Sequence, residues 1–488
     1  MKKGSDDLPA EAGSDRGRLL SVKSEGKPTF VISRFFVLRR KQMEKAQKLA
    51  VMPMKKLVFD MSLPMMLSLL IQSLYNIIDS IFVGRLSEEA LTATSLAYPV
   101  QMLMIAVGVG TAVGLNAVLS KALGQRAEEE ASRIAATGVV LAILSSLVFT
   151  AAGLLFADKL AHAFTTEAAI AADCSSYLFI CMVFSLGNMV CMTYQRLMQA
   201  TGRTVLSMLV LIAGAVTNIV LDPIMIFGLL GFPALGVTGA AIATVVGQWV
   251  SMVVGFGLQH FCNKDVKVRF RGFRLRGEYI KAIYRVGFPT IITQALQSFM
   301  VTAFNAILQP FSTTAVAFFG VYYKLQTFLF MPMNGLGQAA IPIIGFNFGA
   351  KNKDRIHQAL RVIYPTAVII SLIGTVVFVG LPGQLLSLFS AGEAMLALGI
   401  PALRIMAPTF VLASVTLISG YAASGLQDGL TNMLGAFIRQ FVPLIPVVYL
   451  IARFSGISLI WYAFYLSEAC GMAFALLRLR KIMKKRLE

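Results

Sequence analysis

Charge is scarce in this 488-residue chain: only 14% of residues are Asp, Glu, Lys or Arg, against 57% that are hydrophobic. A soluble domain of that make-up would lack the polar surface it needs, so the soluble classes are excluded. Acid is scarcer still, with 24 Asp and Glu beside 43 Lys and Arg. There are three histidines, His162, His260 and His357, all in predicted loops or helix ends, which argues against a histidine proton relay inside a membrane. The five cysteines (Cys174, Cys181, Cys191, Cys262 and Cys470) have no metal-ligand spacing and read as small apolar filler, not as a disulfide framework. No G-x-x-x-x-G-K-[ST] phosphate loop occurs, so ATP is not the expected energy source. Selectivity-filter, arginine-ladder and H-E-x-x-H patterns are also missing, and no enzyme activity or resident cofactor is expected.

What the chain has in abundance is apolar stretches of about 20 residues, each able to cross a hydrocarbon layer of roughly 30 Å. Mean hydropathy is +0.74. Twelve stretches are predicted, near 57–82, 92–120, 134–156, 174–198, 204–228, 236–259, 284–310, 315–346, 360–381, 396–420, 430–452 and 456–477. The expected fold is therefore an all-α integral membrane protein of twelve transmembrane helices. They fall six and six about a basic linker at 260–281, giving an N-lobe over 51–259 and a C-lobe over 282–488 with a short basic tail. Residues 1–50 are polar with no spanning run and no cleavable signal of the usual design. They read as a disordered cytoplasmic extension, or as an over-extended start whose initiator lies nearer Met43 or Met52.

A net charge of +19 invites a nucleic-acid reading, but the distribution of the charge argues for a bilayer. With a cytoplasmic N-terminus, the terminal segments and the loops near 121–133, 196–203, 264–285 and 351–361 hold 37 of the 43 Lys and Arg. The opposite face keeps Arg85, Lys159 and Arg453, while Lys324, Arg404 and Arg439 fall within apolar segments. This is the positive-inside pattern, and it predicts the cytoplasmic membrane with both termini and the linker inside.

The chain also nearly repeats itself. Residues 62–124 lie on 287–349 at a constant offset of 225, matching Pro64/Pro289, Gln72/Gln297, Ser73/Ser298, Ser87/Ser312, Ala90/Ala315, Tyr98/Tyr323, Gln101/Gln326, Gly110/Gly335 and Gly124/Gly349. Later, Ala200-Thr201-Gly202 answers Ala423-Ser424-Gly425 at offset 223, and Pro223 answers Pro446. An even number of spans per half gives both halves one orientation, so the two six-helix bundles are parallel repeats about an axis along the membrane normal. A central site between them is the transporter plan.

Polar groups inside spans are costly, about 2.5–3.5 kcal/mol for a charge on the most lenient scale, so each calls for an explanation. The first span carries Gln72, Asn76 and Asp79 along one stripe, the fifth carries Asn218 and Asp222 one turn apart, and the sixth carries Thr244. Pro223 follows directly and favours a bend, making it the candidate hinge. Two acids, an amide and a hydroxyl suit a small hard cation or a proton. Alternatively the acids bond helix-end groups, Asp222 especially. At the repeat offsets Asp79 maps to Phe304, Asn76 to Val301, Asn218 to Phe441 and Asp222 to Ile445. Acids needed for folding would tend to recur in both copies, and these do not. The second half offers Gln294, Gln297, Ser298, Thr302, Asn305 and Gln309 down span seven. Lys324, Arg404, Arg439 and Glu468 lie in spans eight, ten, eleven and twelve. Glu468 with Arg439 or Lys324 makes either a structural ion pair or part of a substrate site. Gln72, Asn76, Gln294, Gln297, Asn305, Lys324, Arg439 and Glu468 are the candidate cavity residues.

These residues resemble the MATE (multidrug and toxic compound extrusion) family from about Lys55 to the C-terminus. The resemblance is carried by Leu63-Pro64, Asn76 through Gly84, Ala200-Thr201-Gly202-Arg203, Asn218 through Pro223, Tyr323-Lys324-Leu325-Gln326 with Met331-Pro332, and Pro342 through Ala350. It implies two six-helix lobes about a V-shaped cavity and export of cationic or lipophilic drug-like molecules against an H⁺ or Na⁺ gradient, by a protein expected to act as a monomer. It further implies a coupling site in the N-lobe at Asp79, Asn218 and Asp222, with Thr244 contributing. Some members add acids on helices seven and ten; none stands there in this chain. A lipid-linked precursor flippase of the same superfamily and a passive channel are the rival readings. The first would want a more cationic groove, the second no coupling acids.

Overall fold

The computed structural model describes residues 48–270, 273–389 and 391–487. Ten helices among them are long and apolar enough to cross a membrane, and two bent helix pairs bring the spans to twelve. In the first lobe these are α1 (Met54–Gly84), α2 (Glu88–Gly124), α3 (Glu128–Phe164), α4 (Ala168–Val183 then Leu186–Ala200), α5 (Thr204–Phe227) and α6 (Gly236–Cys262). The second lobe has α7 (Gly277–Leu308), α8 (Thr313–Gly349), α9 (Lys353–Gly380), α10 (Glu393–Met406 then Thr409–Gly425), α11 (Gly429–Phe454) and α12 (Leu459–Leu487). The helix α7 begins at Gly277, inside the stretch expected as linker. The expected extension over 1–50 lies outside the described residues as far as position 47. Lys48–Val51 is a helical turn, tied down by Lys48 to Asp60 and by Arg355 to the carbonyls of Leu49 and Met52.

The repeat identities turn out to be structural devices used twice. Ser87 and Ser312 are the N-caps of α2 and α8. Each accepts a hydrogen bond from the backbone N–H three residues on, Ala90 at 3.0 Å and Ala315 at 3.1 Å. The glycines build the seam between the lobes. A Cβ on Gly110 would strike Ile291 of α7, and one on Gly335 would strike Met66 of α1. Likewise a Cβ on Gly124 would run into the carbonyl of Phe346, and one on Gly349 into that of Lys121. Ile291 and Met66 are themselves 225 apart, as are Phe346 and Lys121, so the seam is a pseudo-twofold contact. In lipid, where apolar burial gives helices little reason to associate, backbone approach at small residues supplies the packing.

Both lobes bend at equivalent places, α4 by 47° and α10 by 52°. A bend frees backbone carbonyls that must be satisfied inside a membrane. Thr150 of α3 donates its hydroxyl to the Val183 carbonyl at 2.8 Å, and Thr375 of α9 donates to the Ala407 carbonyl at 2.9 Å. Those threonines are again 225 apart. At the expected hinge, Pro223, α5 runs as one helix from Thr204 to Phe227. Proline there removes a single hydrogen bond close to the helix end, and the last turn continues. Its opposite number α11 is interrupted instead, by a turn at Phe441–Pro443.

Candidate functional site

Helices α1, α5 and α6 pack together in the first lobe. The α5–α6 crossing is tight because Gly214 and Gly247 meet there, which leaves Asn218 and Thr244 facing each other. The Asn218 amide donates to Asp222 Oδ1 at 3.0 Å and, more weakly, to Thr244 Oγ1 at 3.4 Å. Asn218 is 3% exposed and Asp222 fully buried. Asp79 comes in from α1 and stands beside Asp222. The four residues expected to form one ion site are thus brought together.

The accounting of their polar atoms is uneven. Asp79 Oδ1, Asn218 Oδ1 and Asp222 Oδ2 are all buried and none has a hydrogen-bond partner. Neither acid takes part in an ion pair among the described residues, whose pairs all lie elsewhere. Asp222 bonds the Asn218 side chain and does not cap a helix end, which answers the alternative left open by its position. Buried oxygens without donors are expensive unless something supplies the positive charge. Two oxyanions with amide and hydroxyl oxygens about them have the donor chemistry of a hard cation site, and two adjacent acids equally suit one shared proton.

Sequence reasoning missed Tyr75, one turn before Asp79, which lies beside both acids and also lines the central cavity. Its position at Asp79 minus four on the polar stripe was the available signal. Arg196 was assigned to a cytoplasmic loop. It lies instead within the second half of α4, buried at the cavity wall.

The cavity between the lobes encloses about 490 Å³, within the range of sites for drug-sized ligands. Of the candidate substrate residues, Gln72, Gln294, Gln297 and Arg439 line it, together with Asn218 and Thr244. The others are elsewhere. Asn76 and Lys324 are exposed and outside the lining; Asn76 follows Tyr75, which does line the cavity, and one residue on a helix turns a side chain by about 100°. Asn305 and Glu468 sit behind the wall in the second lobe, where Glu468 pairs with Arg439 at 3.4 Å. Of the two partners considered for Glu468, the structure selects Arg439.

Against this geometry, the MatE family model matches twice, over residues 64–224 and 289–450. The two matches begin 225 residues apart, as the internal repeat does. The chain belongs to the MatE family. Its relatives include the multidrug export protein MepA of Staphylococcus aureus, 24% identical over 427 residues, covering 86% of this chain and 92% of MepA. MepA of Staphylococcus saprophyticus is 23% identical, covering 84% and 90%. Among solved structures, a MOP superfamily transporter from Pyrococcus furiosus superposes with TM-score 0.84 at 24% identity, covering 91% of this chain and 98% of that one. An outward-facing multidrug resistance MATE transporter gives 0.84 at 23% identity, covering 90% and 98%. The twelve-helix, two-lobe MATE fold expected from the sequence is the fold observed.

Proposed function

We propose that this MatE family member is a multidrug efflux antiporter of the cytoplasmic membrane, exporting drug-like small molecules in exchange for H⁺ or Na⁺. The naming of its relatives as multidrug export proteins supports the efflux part. One observation carries the coupling part: three buried, unpartnered oxygens of Asp79, Asn218 and Asp222 lie in one lobe, and among the described residues neither acid has a basic partner.

The site and the cavity share a wall. Asn218 and Thr244 bond within the acid cluster and also face the substrate space. An ion or proton that takes up the free oxygens of Asp79 and Asp222 competes with the Asn218 amide for the Asp222 carboxylate, and the wall facing the drug changes with it. Coupling requires that ion and drug favour different conformations, each binding the two states unequally. The seam contacts at Gly124 and Gly349 lie at the end of the helices that carries the basic loops. With those loops in the cytoplasm, this conformation is closed inward. The bends of α4 and α10, held by threonine hydroxyls and not by continuous helix, are the natural points of flexure between states.

Proteoliposomes with H⁺ and Na⁺ gradients imposed separately test the assignment. Asp79→Asn and Asp222→Asn are each expected to abolish gradient-driven drug transport while the protein inserts and stays folded. Full ion-dependent transport in both variants rejects the site.

A further inference from the structure

Among the described residues, the wall of the central cavity carries no carboxylate. Its polar lining is a field of amides and hydroxyls with two guanidinium groups, Arg196 from α4 and Arg439 from α11. Both acids of the first lobe stand behind that wall, out of the lining. Arg439 has Glu468 at 3.4 Å as a partner, so its charge is partly met. Arg196 is different. It is 9% exposed, and one guanidinium nitrogen donates to Gln199 Oε1 at 2.8 Å and Gln338 Oε1 at 2.9 Å. Those acceptors are neutral, and among the described residues no acid pairs with it.

A buried cation without a counter-charge is costly in any protein and more so within a membrane. Neutral carbonyls orient a guanidinium but do not balance it. The planar fork of arginine is suited to bidentate binding of a carboxylate or phosphate, and its remaining N–H groups are available for that. Gln338 belongs to the other lobe, so the Arg196–Gln338 bond crosses the floor of the cavity between α4 and α8. Separation of the lobes at this floor removes one of the two acceptors just as the guanidinium becomes accessible.

We infer that the substrates of this cavity are organic anions, drug-sized molecules bearing a carboxylate or phosphate, with Arg196 as the partner of the anionic group and Arg439 as the second positive point on the wall. The incoming anion takes the place vacated by Gln338, and the amide field hydrogen-bonds the rest of the molecule. This reverses the sign of charge that the family resemblance implies. It rests on the proposed transport reading only in taking this cavity as the substrate space.

The test uses purified full-length protein and three pyrene probes that differ only in the end group: a butyrate, its methyl ester and a butyl-trimethylammonium. Binding is read by fluorescence anisotropy with empty micelles subtracted and no ion gradient, so failure of ion coupling leaves the result intact. The butyrate is expected to bind roughly tenfold or more tightly than the other two. Arg196→Gln should erase that advantage, Arg196→Lys should keep part of it, and Gln338→Glu, which installs a competing internal carboxylate, should suppress it. If Arg196→Gln does not fold, the wild-type ranking and Gln338→Glu decide. Preference for the ammonium or ester probe, or an unchanged butyrate preference in Arg196→Gln or Gln338→Glu, overturns the inference.

Discussion

The two lobes share a backbone plan and differ in what fills it. Where the first lobe has Asp79, the second has Phe304, fully buried and stacked on Phe319 with ring centroids 4.1 Å apart. Trp461 and Phe464 of the α12 region complete the cluster at 6.3 and 5.7 Å. Where α5 places Asn218 and Asp222 on an unbroken helix, α11 places Phe441 in a turn and Ile445 after it. At its centre the first lobe sets two acids with no basic partner; the second sets an aromatic stack at the equivalent place and pairs its own buried acid, Glu468, with Arg439. Duplicated bundles therefore need not duplicate chemistry: the caps, bends and seam recur in both lobes, whereas the Asp79 and Asp222 pair stands in the first alone.

This comparison predicts opposite phenotypes for the paired positions, and the largest effect belongs to the aromatic side. Phe304→Ala opens a void in a packed cluster and is expected to cost about 3–5 kcal/mol of stability. Ion dependence of whatever protein remains folded should be unchanged. Asp79→Asn, expected to lose coupling, should leave thermal unfolding in detergent little altered. Loss of ion dependence in a well-folded Phe304→Ala protein would break the assignment of chemistry to one lobe.

Next in size is the seam, where the lobes should behave alike. Gly124→Val and Gly349→Val each drive a side chain into the opposite helix backbone, at an overpacking cost of about 1–3 kcal/mol to the closed arrangement. Drug efflux from cells at matched membrane levels should fall by similar factors in the two variants. A large inequality between them would show that the pseudo-twofold seen in the contacts is not a functional symmetry.

Much of this was legible in the amino acids. The spans are long apolar runs, and the repeat identities mark caps and close approaches whose geometry tolerates few alternatives. The ion cluster could be read because acids in apolar helices are rare, and Asn218 and Asp222 declare a shared face by their spacing. Arg196 was misread for a physical reason: it sits near the end of an apolar run, where a basic residue most often marks the cytoplasmic margin. Only the packing of α4 against α8 shows that it points into the cavity floor. Proline is a weak marker of breaks in this chain: Pro64, Pro99, Pro289, Pro342 and Pro365 stand inside continuous helices, as Pro223 does. The bend in α10 has a proline at its break, Pro408, but that in α4 has none, and the groups that satisfy the freed carbonyls, Thr150 and Thr375, come from neighbouring helices.

The smallest predicted effect sharpens the comparison most finely. Ser87 and Ser312 cap α2 and α8 with nearly equal bonds, so removing either hydroxyl should cost about 1 kcal/mol. The first turns differ, however: α2 opens with Glu88 and Glu89, and α8 with Thr313 and Thr314. A first-turn carboxylate can accept the backbone N–H that loses its cap, and the positive end of the helix dipole strengthens that bond. Ser87→Ala should therefore be the milder change by a few tenths of a kcal/mol at low ionic strength, and the gap should close as salt is added. Thermal unfolding of both variants across a salt series reads this directly. A gap of the same sign that persists at high salt would place the difference in packing around the caps, and the lobes would then diverge even in the devices they share.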